Sequence, residues 1–253
     1  TWNPDIEDLL GLLLAVPHLE CIIFDQYGSN FSIELKNALK SLVSLKKISI
    51  IVEERVEDFI GSKIVEDLEF EQTKSRLVNW SFISSLEQLR KLCIGCDLKP
   101  KEPFFDFLKL DRLEMLSIFN RNFDSKDYGM FFQTIRPLKN LKTLALRFRY
   151  VQNAVLSDKI ETLILTCSDY YLRFSRNTNE NIENFIRGPG VKNLYMRYGH
   201  TSPLERAPRK EDYSFLLTVD LRRYFPLLER VKFNDLKKSE SYKVLKCSEP
   251  LCE

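Results

Sequence analysis

The side chains that could carry chemistry are few and poorly arranged for it. Histidine is the commonest acid or base in catalysis, and the chain has only His18 and His200. His18 falls in a turn between a helical and an extended pattern, His200 in a loop, and neither has a partner at a recognisable spacing. Cys93-x-x-Cys96 has the spacing of a redox or zinc pair. No second such pair exists to complete a zinc site, and on a strand two residues three apart point to opposite faces. Both therefore read as packing cysteines. Gly188-Pro189-Gly190 is a turn rather than a phosphate loop, because no lysine-serine pair follows it. The acidic runs Glu53-Glu54-x-x-Glu57-Asp58 and Glu66-Asp67-x-Glu69-x-Glu71 lack the alternation of a calcium loop and read as solvated surface. The expectation is a non-enzyme with no metal and no cofactor.

What positions these residues is a recurring phrase: aliphatic, two variable residues, aliphatic, one variable residue, then aliphatic or aromatic. It begins at Leu19, Leu45, Val65, Leu89, Leu113, Leu141, Ile160, Val191 and Leu228. The intervals run from 19 to 37 residues, mostly in or near the 20–29 of leucine-rich repeats. The fourth and sixth positions share one face of a strand and should turn into a core. Between phrases the pattern suggests helices. One has Asn3 as cap and Pro4 in its first turn, with Ile6, Leu9, Leu10 and Leu13 on one stripe. A second starts at Ser32 and uses Leu35, Ala38, Leu39 and Leu42. Others are suggested by Phe82, Ile83, Leu86 and Leu89, by Tyr128, Phe131, Phe132 and Ile135, and by Phe215, Leu216, Val219, Leu221 and Tyr224. Prolines at Val16-Pro17, Arg136-Pro137 and Phe225-Pro226 stop the preceding helix before a strand. The expected fold is α/β, a leucine-rich-repeat solenoid of about nine irregular repeats over residues 1–235. Its parallel sheet lines the concave side and its helices the convex side. Residues 236–253 lack the phrase and form a cap or flexible tail.

The residues between the buried positions would face the concave side, where a stack of repeats presents a binding surface. The third repeat offers Asp67, Glu69 and Glu71. The fifth offers Met115, Ser117 and Phe119, and the sixth Thr143, Ala145 and Arg147, with Arg149 beyond. The last two offer Asn193, Tyr195 and Arg197, then Arg230, Lys232 and Asn234. Asp67, Glu69, Glu71, Phe119, Arg147, Arg149, Tyr195, Arg197, Arg230 and Lys232 are the candidate partner-binding residues, aromatic and arginine being typical interface anchors.

Charge has the same direction. Residues 1–126 carry 16 Lys+Arg against 21 Asp+Glu, and 127–253 carry 22 against 15, within a net charge of +2. The longest apolar stretch, Leu9 to Val16, is far shorter than the roughly 20 residues of a membrane span, and acidic residues precede it. Six scattered cysteines favour a reducing compartment, cytoplasmic or nuclear. Asn30-Phe31-Ser32 and Asn79-Trp80-Ser81 match the glycosylation pattern, a short and common one. Beginning at Thr1 rather than Met, the chain reads as a fragment or processed product.

The phrase, the uneven intervals and the few cysteines resemble intracellular leucine-rich-repeat proteins, most closely the C-terminal repeat domain of divergent fungal F-box proteins. That resemblance implies a substrate receptor of an SCF-type ubiquitin ligase, reaching a Skp-type adaptor and a cullin through an F-box not present in these residues. Two alternatives remain: a scaffold subunit of a chromatin or kinetochore assembly, and direct nucleic-acid binding through Arg147, Arg149, Arg197, Arg206, Arg209, Lys210, Arg230 and Lys232.

Overall fold

A computed structural model describes residues 6–24, 31–52, 55–72, 79–96, 110–119, 131–148, 155–167, 186–198, 220–235 and 245–246. By its internal contacts the chain forms two compact units, Thr1–Asn122 and Phe123–Glu253. Asn3, Pro4, Asn30, Tyr128, Arg149, His200, Arg206, Arg209, Lys210, Phe215, Leu216 and Val219 lie outside the described residues.

The first unit is α/β. Its strands are β1 (Cys21–Ile23), β2 (Lys47–Val52), β3 (Asp67–Gln72), β4 (Lys91–Cys96) and β5 (Met115–Phe119). Each pairs in parallel with the next, so that Ile22, Ile48, Leu68, Leu92 and Leu116 lie abreast. The second unit repeats this with β6 (Thr143–Phe148), β7 (Thr162–Cys167), β8 (Asn193–Tyr198) and β9 (Arg230–Asp235), aligning Leu144, Leu163, Leu194 and Val231. The third residue of every phrase opens a strand. A two-residue strand, β10 (Leu245–Lys246), runs antiparallel to β9, opposite Val231 and Arg230, and covers that edge of the sheet.

The reason for this order is visible at each phrase. Its fourth residue is buried in all nine strands, from Ile22 to Val231. So are the sixth-position residues Ile50, Phe70, Ile94, Ile118, Leu146, Leu165 and Met196. Each such side chain withdrawn from water contributes about 1.5–3 kcal/mol, and parallel register stacks them in unbroken rows. In seven phrases the N–H of the first residue closes a turn on the carbonyl three residues earlier, as Leu45 does on Leu42, Leu113 on Leu110 and Leu228 on Phe225. The carbonyl of the second residue then accepts two N–H groups from the following phrase. Glu20 O takes those of Lys46 (2.8 Å) and Lys47 (3.0 Å), and Lys192 O those of Glu229 (2.8 Å) and Arg230 (3.0 Å).

Among the described residues, helices are shorter than the pattern suggests. α1 (Ile6–Ala15) and α2 (Ile33–Ser41) form where expected. Ser32 caps α2, its hydroxyl accepting from the Leu35 N–H at 3.2 Å, and Leu35, Ala38 and Leu39 are buried. α3 (Trp80–Ser84) stops before Leu86 and Leu89, which are buried through successive tight turns instead. The hydroxyls of Ser84 and Ser85 donate to the carbonyls of Trp80 and Phe82 at 2.6 and 2.7 Å, the local competition that ends serine-rich helices. Residues 131–135 are helical, whereas Leu221–Arg223 form only a 3-10 turn. Before β3 the chain makes a single 3-10 turn at Val56–Asp58. Before β7 it is extended at Val155, which bridges Arg187. Nineteen residues separate the phrase at Leu141 from that at Ile160, the shortest interval between phrases.

Ser62 closes the connection to β3. Its buried hydroxyl lies 2.7 Å from Leu45 O and 3.0 Å from Val43 O and accepts from Ile64 N–H at 3.3 Å. Ser62→Ala leaves these main-chain groups short of a partner, and an urea titration is expected to register a loss of about 1–2 kcal/mol.

Candidate functional site

Strand alternation sends the third, fifth and seventh positions of each phrase to the face opposite the core. In the first unit, β2 to β4 present Lys47, Asp67 and Lys91 in one row and Ser49, Glu69 and Cys93 in the next. Asp67 is a bridged carboxylate: Lys47 Nζ stands 3.6 Å and Lys91 Nζ 3.9 Å from its Oδ2. Glu69 is exposed beside it, and Glu71 stands two residues later on the strand, in register with Gly95. The acidic row is thus neutralised at one end by lysines of the adjoining strands. Met115, Ser117 and Phe119 share the face on β5, but Ser117 is only 2% exposed and offers nothing to a partner.

In the second unit the corresponding rows read Thr143, Thr162, Asn193, Arg230; then Ala145, Ile164, Tyr195, Lys232; then Arg147, Thr166, Arg197, Asn234. Asn193 Nδ2 approaches Thr162 Oγ1 at 3.4 Å. Arg230 is exposed, while Tyr195 and Lys232 are half-buried. Ala145 and Ile164 are buried, although their positions belong to the outward set. Four basic residues and no acidic one occupy these twelve register positions, and of the four Lys232 pairs directly with Tyr195. Of the candidate residues, Arg147, Tyr195, Arg197, Arg230 and Lys232 fall together here, Asp67, Glu69, Glu71 and Phe119 belong to the first unit, and Arg149 lies outside the described residues.

Asn79 is the cap of α3: its Oδ1 accepts from Phe82 N–H at 3.1 Å and its Nδ2 donates to Glu57 Oε1 at 3.0 Å. A glycan on that nitrogen would remove the contact with Glu57. Cys93 and Cys96 stand three apart on β4, and Cys93 is half-buried. His18 is exposed in the turn before β1. Among the described residues, no three His, Cys, Asp or Glu side chains gather as metal ligands, and no helix is long and apolar enough to cross a membrane. No protein-family model matches the chain, and no curated protein matches it.

One ordered feature was missed by reading along the chain. The second residues of the phrases alternate in sign: Glu20, Lys46, Glu66, Arg90, Glu114 in the first unit, and Lys142, Glu161, Lys192, Glu229 in the second. Reading the second position from phrase to phrase would have revealed it. Lys46 Nζ bonds Glu20 Oε1 at 2.7 Å, Arg90 holds both oxygens of Glu114 at 2.9 and 3.1 Å, and Lys192 lies 3.9 Å from Glu161. The Lys46 ammonium is held above its ordinary pKa by the hydrogen bond to Glu20, then by the charges of Glu20 and Glu66. A raised lysine contributes its stability below the unfolded pKa of about 10.5, and loses it as pH climbs through the higher folded value. Lys46→Glu would set three carboxylates abreast. Its melting temperature is expected to fall in low salt and to recover in part at high ionic strength, as calorimetry at two salt concentrations would show.

Proposed function

We propose that the chain is a non-catalytic recognition module of the leucine-rich-repeat solenoid type, which binds an anionic segment of a protein partner on the face of β8 and β9 that carries Tyr195, Arg230 and Lys232. The observation that supports it is the sign of that face: Lys232 pairs in register with Tyr195, Arg230 is exposed two residues before it, and the three rows of β6–β9 hold four basic residues and no acidic one. Complementary charge of this kind speeds encounter and selects a partner, and a half-buried tyrosine beside it supplies apolar contact. Nine phrases with uneven intervals, each opening a strand at its third residue, support the repeat reading.

The test is affinity capture of the native partner with the unaltered protein and with the double variant Arg197→Glu, Arg230→Glu. Retained partner is expected to fall at least about tenfold, as removal of two charge pairs worth about 1 kcal/mol each implies. Lys63→Glu, a control in the other unit, should leave capture unchanged. Undiminished capture by the double variant rejects the face. Recovery of a Skp-type adaptor and a cullin with the full-length product supports the substrate-receptor form of the reading, drawn from the F-box resemblance. A stoichiometric complex without ubiquitin machinery supports the scaffold form.

The same four cations favour nucleic acid as the second reading. It predicts a duplex affinity falling with salt at a log–log slope of about −3.6 for about four phosphate contacts. A flat salt response eliminates it.

A further inference from the structure

In the second unit, β10 is paired in a way that opposes its own docking. Its two residues bond to β9, antiparallel, with Leu245 opposite Val231 and Lys246 opposite Arg230. One side of this pairing is apolar against apolar, since Val231 is buried in the core. On the other side Arg230 is exposed, and two basic residues stand directly opposite one another. Residues facing each other across antiparallel strands have Cβ atoms about 4.5–5.5 Å apart, and like charges so placed destabilise the pair. The rest of the row supplies no compensation. Beyond Arg230 it continues through Asn193, Thr162 and Thr143, none of them acidic. Where the charges of other described strands stand opposite, the signs are opposite, as Asp67 between Lys47 and Lys91. The Arg230–Lys246 pair breaks that pattern, at a strand too short for its hydrogen bonds to offset much.

We propose that β10 is an anion-dependent clasp: a carboxylate of the bound partner, seated between Arg230 and Lys246, fastens β10 onto β9. The inference rests on the reading of the β8–β9 face as the binding surface and adds how occupation of that face is regulated. A carboxylate has two oxygens and accepts from both cations at once, so a repulsion becomes two charge-assisted contacts. Whatever binds the docked arrangement better than the open one shifts the population toward it. With the face empty, β10 opens readily and leaves the β9 edge bare. With an anionic segment in place, the same two residues close that edge.

The probe is a fluorescein-labelled hexaglutamate peptide, with hexaglutamine as the uncharged comparison. On the full chain at low ionic strength, anisotropy reads binding, and hydrogen–deuterium exchange of the segment containing Leu245 and Lys246 reads docking of β10. Saturating hexaglutamate is expected to slow that exchange about fivefold or more, and hexaglutamine to leave it unchanged. Charge reversal tests the clasp with no peptide present. Lys246→Glu and Arg230→Glu each place opposite signs across the pair and should each show the slow exchange. The double variant Lys246→Glu, Arg230→Glu sets like charges opposite again and should return to fast exchange, a result that general loss of folding in one variant would not produce. Lys63→Glu, in the other unit, should behave as the native chain. The proposal is overturned if hexaglutamate binds without slowing exchange at β10, or if the single reversals exchange as fast as the native protein. In those cases the binding face itself stands. Absence of saturable hexaglutamate binding up to about 1 mM overturns the face and the clasp together.

Discussion

Gly190→Ala is expected to unfold the second unit at far lower denaturant than the native sequence, with a loss of at least about 3 kcal/mol. A methyl group built on Gly190 would sit 1.7 Å from the carbonyl oxygen of Asp158 and 2.5 Å from its carbon. Those atoms are main chain, so no side-chain rotation can make room. The turn before β8 must move away from the turn before β7, pulling on the N–H groups of Lys192 and Asn193 that share Glu161 O. Gly11→Ala is the internal control. Nothing lies within 4 Å of its would-be methyl, and Gly11 is inside α1, where alanine is favoured by up to about 1 kcal/mol. The same substitution should therefore destabilise at one site and be neutral or stabilising at the other, as paired urea titrations followed by far-ultraviolet circular dichroism would read. A Gly190→Ala midpoint equal to that of the native protein would mean that the two turns are not in contact.

Phe70→Ala should cost about 3–5 kcal/mol in the first unit. Phe70 is 2% exposed, lies in register between Ile50 and Ile94, and is among the largest fully buried side chains. Truncation removes a ring from the middle of a row whose main chain is pinned on both sides by parallel pairing, so the space cannot close. Phe70→Leu, which keeps most of the volume, should cost less than about 1.5 kcal/mol. The neighbouring Glu69→Ala, on the opposite face and exposed, should stay within about 0.5 kcal/mol. The three measurements together test the strand phase. Similar losses for Phe70→Ala and Glu69→Ala would show that the faces are assigned wrongly.

Strand positions were legible because a buried strand writes its own period of two, and Leu68-x-Phe70 or Leu92-x-Ile94 can satisfy it in only one phase. Helix lengths were less so. Leu86 and Leu89 keep the three-residue spacing of a helix, yet reach the core through two tight turns, and spacing alone does not separate the two. The site was legible in part. Parity put Tyr195, Arg230 and Lys232 on one face, but it also put Ser117 and Ala145 outward, and both are buried. Parity states which way a side chain leaves the strand and says nothing of what lies above it.

The amino-acid order by itself determined where nine strands begin and which of their faces is apolar. All of this is local, encoded within six residues at a time. Lateral relations were decided only in the folded chain: Asp67 bridged by Lys47 and Lys91, Glu20 bonded to Lys46, and Gly190 pressed on Asp158. Those partners come from strands or turns 20 to 32 residues away, across intervals of unequal length. No fixed period connects them, so register and hydrogen bonding between strands had to set who meets whom.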